Sequence, residues 1–476
     1  MTSSTPARLL TQTTVTHPHH RGLIHRGRQY DYTELSRMVS SVAGTLQQSG
    51  VEPGNRLVIF PQPLLTVLTV MAAPRIGCSV LPLNPALPRD ILQGLIDTTS
   101  ATHLLADGGA FASVESVCRI LPHELLRKLE NDPAATEGRT SLTLGEVHLC
   151  VATSGSVAQP KVVQLSGRSI IASIKASRRR LHTDSSDVWL CCLPLFHIGG
   201  LSIPFRCVDA AATLLLHDRF DAQQICEDLY RYAVTHLSLV PAMLTKLLDQ
   251  APELPPPPSL RVVLIGGASL SRQLYEKATA AGWPLAPTFG MTENCSQIAT
   301  LYPPSTHWFP GLVGKALDHT EISVDDHTGV IRIRGDGVFT GYLQEDGQST
   351  LHPADAWFET GDHGAINDDG NLVLHGRSEE MLVSGGENIY PAQIESQLLK
   401  HPDITEVAVI GETDPVWGDI VIALFAGSLT EQQLQSWCKQ QLHGAWLPRR
   451  FIKTYELPRN AMHKIDRLAL RKLIKP

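Results

Sequence analysis

The chain has 476 residues, a net charge of −7, 43% hydrophobic and 18% charged residues. That length and balance fit a globular protein of two or three domains with a sizeable core, and exclude a disordered chain. The acidic balance argues against a nucleic-acid partner, and no uninterrupted apolar run reaches the length of a membrane span.

The first 30 residues hold no acid, a feature shared with transit peptides, yet residues 23–33 already read as a short hairpin entering a helix. Nine cysteines without a C-x-x-C pair fit a reducing compartment, so a cytoplasmic location is expected. Apolar runs at 57–60, 146–152, 188–193, 213–216, 236–239 and 262–265 are predicted strands, and 222–232 and 242–250 have helical spacing. This alternation predicts an α/β architecture with parallel sheet. Cys191 and Cys192 read as small core residues, Arg178-Arg179-Arg180 as a solvated helix face, and Pro255 to Pro258 as a stiff surface loop.

After about residue 310 the texture changes. Residues 321–324 and 330–334 alternate around a turn at 325–329, as in a hairpin, and Asp368-Asp369-Gly370-Asn371 is a turn before a strand at 372–375. From about residue 380 a small α+β unit is predicted, with helices near 391–400 and 430–443 and strands at 406–410 and 420–426.

The segment Thr153-Ser154-Gly155-Ser156-Val157-Ala158-Gln159-Pro160-Lys161 crowds hydroxyls around a glycine and closes on a lysine, a composition suited to cradling phosphates. It is not a Walker A loop, because Pro160 replaces the glycine before the lysine and Val162 replaces the Ser/Thr after it. Four further segments carry chemistry. Thr288-Phe289-Gly290-Met291-Thr292-Glu293 combines an aromatic, a glycine, a hydroxyl and a carboxylate, although Thr292 and Glu293 also suit a helix N-terminus. Trp357-Phe358-Glu359-Thr360-Gly361-Asp362 sets a carboxylate after a glycine turn, able to accept two hydrogen bonds from a diol or to stabilise the turn itself. A glycine-rich run from Gly376 to Pro391 joins the large unit to the small one, and Pro458 to Arg467 carries Lys464 near the terminus.

Together, in this order, the five segments resemble the acyl-adenylate-forming enzymes. The resemblance implies a large N-terminal domain over 1–376 with parallel sheets and a β-rich subdomain, a hinge at 377–380, and a small mobile α+β domain over 381–476. It implies ATP, Mg²⁺ and coenzyme A as cofactor and co-substrates, a small-molecule carboxylic acid as partner, and leaves a homo-oligomer open. By the same resemblance Thr153, Ser154, Gly155, Ser156 and Lys161 hold phosphates. Gly266, Gly267 and Ala268 flank the adenine, Phe289 stacks on it, and Gly290 and Met291 line the nucleotide and acyl sites. Thr292 contacts the α-phosphate, Glu293 holds Mg²⁺, and Asp362 and Arg377 bind the ribose. Lys464 stabilises the adenylation transition state, and Glu379 is the hinge. Gly385, Gly386 and Glu387 form the thiol tunnel.

Two positions depart from the family pattern: Val157 where threonine is usual and Ala158 where glycine is usual. A lost hydroxyl bond to a charged phosphate costs about 1.5–3 kcal/mol. Alanine in a left-handed conformation costs roughly 1–2 kcal/mol more. An active enzyme with a looser ATP site is expected.

His197 matches the position that gates the acyl pocket and equally suits a core histidine beginning a helix. Arg206 stands in a largely apolar stretch and, if buried, needs an anionic partner. A second carboxylate on the substrate would supply one, as would an acid of the protein. Within the family this run, with residues 235–244, is most similar to the 2-succinylbenzoate–CoA ligase branch. The wider choices are other fatty- or aryl-acid CoA ligases, carrier-loading adenylating enzymes, and a non-catalytic nucleotide sensor.

Overall fold

The computed structural model describes residues 5–60, 62–106, 119–121, 143–153, 160–252, 254–305, 307–344, 347–459 and 465–474. The expected first hairpin is present: strands Arg21–His25 and Arg28–Asp31 pair antiparallel around Arg26 and Gly27, both at positive φ. Primed turns of this kind match the twist of the strands they join. Asp31 then caps helix Tyr32–Gln48 in a reciprocal box with Glu34, which satisfies two of the helix's free N–H groups.

Two large sheets carry the N-terminal part. In the 13-stranded sheet, Arg21–His25, Thr213–Leu216, Val188–Cys191, His236–Leu239, Val262–Ile265 and the start of Leu285–Met291 run parallel. They are buried strands with apolar sequences, as parallel sheets covered on both faces require. The sheet then continues antiparallel through Ser296–Thr300, Leu312–Ala316, Leu372–Arg377, Phe358–Ile366 and the predicted 321–324/330–334 hairpin. The strand predicted at 188–193 ends at Cys191. Its neighbour, Thr213–Leu216, ends there too, the last register pair being Leu216 with Cys191.

The second sheet has eight strands, in which Gly341–Leu343, Val162–Ser166 and Val147–Ala152 lie side by side. Cys191 and Cys192 are core residues, as expected. The basic run is not simply a solvated face. Arg180 is half-buried and donates to the carbonyls of Thr300 at 2.8 Å, Lys315 at 3.2 Å and Ala316 at 2.8 Å, while Arg179 pairs with Asp318. Helix Gly167–Leu181 is thereby tied to two neighbouring strands, Ser296–Thr300 and Leu312–Ala316, inside the large sheet.

A separate five-stranded sheet with its own apolar core forms the small C-terminal unit. Its long hairpin, Ile404–Asp414 with Gly418–Gly427, extends the two predicted strands at both ends, and helices Pro391–Leu398 and Glu431–Gln441 fall where helical spacing placed them. Three short strands, Leu382–Ser384, Glu387–Ile389 and Arg450–Lys453, complete it. Among the described residues no helix is long and apolar enough to cross a membrane.

Candidate active site

A cavity of 1810 Å³ opens where the two large sheets meet the small unit. That exceeds the room a small organic molecule needs and suits a nucleotide together with a second ligand. Its floor is the end of strand Leu285–Met291 and the 3-10 turn Thr292–Asn294. Gly290 permits this path, because a Cβ there would collide with the Ser296 carbonyl across the hairpin. Asn294, wholly buried, donates to the Gln297 carbonyl and to Thr320 Oγ1, so the turn presents Thr292 and Glu293 to the cavity on a fixed base.

Thr153 and Lys161 stand on the opposite wall, at the two ends of the candidate phosphate loop, whose base is closed by the Thr153 N–H donating to the Lys161 carbonyl at 2.8 Å. Ser154, Gly155 and Ser156, with Val157 and Ala158, lie outside the described residues. Between the walls sits Tyr342. Its hydroxyl donates to Glu293 Oε1 at 2.8 Å and its ring centroid lies 5.1 Å from Lys161 Nζ. Burial and the facing carboxylate push the Tyr342 phenol well above its ordinary pKa, so the hydroxyl stays a donor.

Asp362 and Arg377 are register partners on neighbouring strands, with Arg377 Nε 3.1 Å from Asp362 Oδ1. Burial raises the Asp362 carboxyl to about 6 against the pull of Arg377, and its second oxygen, Oδ2, is buried without a hydrogen-bond partner. Asp362 itself is not on the cavity wall, whereas its neighbour Gly361 and its partner Arg377 are; a buried polar atom without a partner is uncommon and calls for an explanation.

Deeper in the cavity, Arg206 belongs to helix Ile198–Ala210 and His197 stands just before it. His197 is its N-cap residue, but the ring makes no cap and packs edge-on against Phe196. Arg206 is 3% exposed, lies 5.5 Å from the Trp189 ring centroid, and donates to Ser296 Oγ at 3.2 Å. Among the described residues its Nε has no hydrogen-bond partner and no acid pairs with it. Burial lowers its pKa to about 10, so it remains a cation at neutral pH.

The sequence expectations are only partly brought together. Gly266, Gly267, Gly290, Met291, Thr292, Glu293, Arg377 and Glu379 line the cavity. Phe289, expected to stack on a base, is 7% exposed and packs in the hydrophobic core, while Thr288, Gly290 and Met291 of the same strand line the cavity. Ala268 is exposed and off the wall. Gly385, Gly386 and Glu387 form an exposed turn beside Trp417, also off the wall. Lys464 lies outside the described residues, but the three that follow it, Ile465, Asp466 and Arg467, line the cavity.

Sequence reasoning gave no role to Tyr342 or Arg467, and placed Glu380 only within the hinge 377–380. Arg467 donates to Glu380 Oε1 at 2.8 Å, Glu395 Oε1 at 3.1 Å and the Val409 carbonyl at 2.7 Å, which ties the segment after Lys464 to the joint between the units. No local pattern marks these contacts, since their partners lie far away in the chain.

Among the described residues no cluster of three or more His, Cys, Asp or Glu could hold a metal. Glu293, on the cavity wall, fits Mg²⁺ nonetheless, because that ion is commonly held by one or two carboxylates and the substrate's own phosphates.

The AMP-binding enzyme family model matches residues 10–343, and the model of that family's C-terminal domain matches residues 393–464. The chain belongs to the AMP-binding enzyme family. Within the family, it is 32% identical over 455 residues to 2-succinylbenzoate–CoA ligase of Bacillus cereus, covering 93% of each chain. Its structure is similar to o-succinylbenzoate CoA synthetase from Bacillus subtilis in complex with the acyl-adenylate intermediate, at TM-score 0.89 and 29% identity over 99% of each chain. A double mutant of that synthetase bound to a product analogue is less alike, at TM-score 0.72 over 98% of each chain. ATP-bound MatB from Rhodopseudomonas palustris, at 25% identity and TM-score 0.88 over 98% of each chain, shares the same architecture.

Proposed function

We propose that this AMP-binding enzyme is a 2-succinylbenzoate–CoA ligase. The observation that carries this choice of acid is Arg206: a buried guanidinium on the cavity wall with an unpartnered Nε and no acidic partner among the described residues. Leaving such a charge unpaired in an apolar pocket is costly, and a substrate that brings its own second carboxylate removes the cost. 2-Succinylbenzoate does so. Its aryl carboxylate meets Arg206 and Ser296, its ring fills the apolar pocket beside His197, and its succinyl carboxylate faces the nucleotide.

Two steps follow. The succinyl carboxylate attacks the α-phosphorus of ATP, forming the acyl–phosphate bond and releasing pyrophosphate. The coenzyme A thiol then attacks the acyl carbon, forming the thioester, losing its proton and releasing AMP. In the first step Thr153, Ser154, Gly155, Ser156 and Lys161 hold the phosphates, Thr292 donates to the α-phosphate, and Asp362 with Arg377 binds the ribose diol. Gly266 and Gly267 flank the adenine. Lys464 places a cation between acyl and phosphate oxygens, where charge grows in the transition state. Mg²⁺, when bound, would be held by Glu293 and neutralise phosphate charge.

The second step requires the small domain, 381–476, to rotate about Glu379 in the hinge 377–380 and bring Gly385, Gly386 and Glu387 to the thiol. The 3-10 turn Ser378–Glu380 between the sheets supports a hinge there. So does the fall in similarity from 0.89 to 0.72 between the two Bacillus subtilis complexes at nearly equal coverage. All eight described cysteines are unpaired, which supports a cytoplasmic location.

The test is a panel of carboxylic acids assayed for ATP- and CoA-dependent AMP release. The expected result is turnover highest with 2-succinylbenzoate. Absence of pyrophosphate release with any acid would exclude an adenylating enzyme, and adenylate formation without a CoA thioester would point to a carrier-protein acceptor.

A further inference from the structure

Tyr342 touches both a cation and an anion of the nucleotide site, and neither contact is accidental to the fold. Its strand, Gly341–Leu343, pairs antiparallel with Val162–Ser166, the strand that leaves the phosphate loop, and Tyr342 is the register partner of Val163. That register holds the ring beside Lys161. The same segment reaches the other wall: the Phe339 N–H donates to the Glu293 carbonyl at 2.7 Å, and the Phe339 ring packs edge-on against Tyr342 at 4.7 Å between centroids. The phenol is therefore braced from both sides, with its face under an ammonium and its hydroxyl on a carboxylate.

We propose that Tyr342 is a positioning residue that sets Lys161 and Glu293 relative to each other before nucleotide and metal arrive. The π-face attracts the Lys161 ammonium and limits where it rests. The hydroxyl occupies Glu293 Oε1 and so orients the carboxylate. An oriented carboxylate loses less rotational freedom when it takes a ligand, so the metal's contribution to nucleotide binding is larger than from a free side chain. This inference rests on the reading that Lys161 meets nucleotide phosphates and Glu293 meets Mg²⁺.

The two arms separate by substitution. Tyr342→Phe keeps the ring and removes the hydroxyl, whereas Tyr342→Leu removes both. Binding of ATP without acid substrate is measured calorimetrically, once in EDTA and once in excess Mg²⁺. For Tyr342→Phe, affinity in EDTA stays within about twofold of the parent, while the gain on adding Mg²⁺ shrinks by about tenfold or more, as expected for a hydrogen bond to a charged group. Tyr342→Leu also loses about two- to fivefold in EDTA, the worth of an exposed cation–π contact. In a Glu293→Gln background, Tyr342→Phe causes no further loss of the Mg²⁺ gain.

The inference is overturned if Tyr342→Phe keeps the full Mg²⁺ gain, if its effect persists in the Glu293→Gln background, or if Tyr342→Leu binds metal-free ATP as well as Tyr342→Phe does. The Phe and Gln variants decide the hydroxyl arm whether or not the Leu variant folds. A parent protein that binds no ATP, or gains nothing from Mg²⁺, would instead sink the nucleotide-site reading itself.

Discussion

Arg377 Nε lies 3.1 Å from Asp362 Oδ1 across two adjacent antiparallel strands, while Asp362 Oδ2 has no hydrogen-bond partner among the described residues. The pair thus holds one oxygen in place and leaves the other, buried behind the cavity wall, without a donor. Burial raises the Asp362 carboxyl from its ordinary 3.8 to about 6. The folded chain therefore binds an extra proton between these values. The stability this confers is fully present below about pH 4 and is lost as pH rises through 6. Nucleotide binding runs the other way, since only the carboxylate accepts both ribose hydroxyls. The KM for ATP is expected to rise as pH falls below about 6, and Asp362→Asn to raise it at neutral pH and flatten that dependence. A KM that stays level from pH 7 to pH 5 in the parent would remove Asp362 from the ribose site.

Arg206→Ala is expected to lower the preference for 2-succinylbenzoate over 4-oxo-4-phenylbutanoate, which lacks the aryl carboxylate, by about ten- to a hundredfold. A charge-assisted hydrogen bond of about 1.5–3 kcal/mol sets that range. The comparison is of kcat/KM for the two acids. An unchanged ratio would show that Arg206 does not meet the second carboxylate.

Lys464→Ala is expected to slow adenylation by about a hundred- to a thousandfold, the cost of removing a group aimed at developing charge. Thioester formation from pre-made acyl-adenylate should suffer far less, because the small domain then presents Gly385, Gly386 and Glu387. Rapid-quench measurement of each half-reaction checks this, and equal losses would contradict the rotation.

Arg180→Met removes three donations to the carbonyls of Thr300, Lys315 and Ala316. Urea unfolding is expected to show a loss of about 1.5–3 kcal/mol, with activity per folded molecule preserved. A loss confined to activity would mean the arginine serves the site instead.

The double substitution Val157→Thr with Ala158→Gly restores a hydroxyl and a freer backbone to the phosphate loop. It is expected to tighten ATP binding by about tenfold, leaving the acid preference unchanged. Calorimetry with ATP and the acid panel together decide it.

Elements and motifs that depend on near neighbours were readable without coordinates. Period-two and helical spacing gave the parallel α/β core and the small unit's helices, because side-chain direction repeats along a strand or helix whatever lies beyond it. Proline in place of a Walker glycine was enough to exclude a P-loop, since a missing N–H is a property of the residue alone. The order of five segments along the chain placed it with the adenylate-forming enzymes, and the family match over residues 10–343 and 393–464 agrees.

Contacts between distant strands were not readable. Arg180 looked solvated because the carbonyls it meets, of Thr300, Lys315 and Ala316, lie more than a hundred residues away, and the burial of Phe289 could not be phased from six residues. Arg206 could be seen to need a partner, but only packing showed it 3% exposed, on the cavity wall, with its Nε unpaired. Tyr342 carried no signal at all. Its place between Lys161 and Glu293 follows from the register of one strand pair and the path of one 3-10 turn. Those are set by how two sheets close on each other, a long-range energy that no short window of sequence contains.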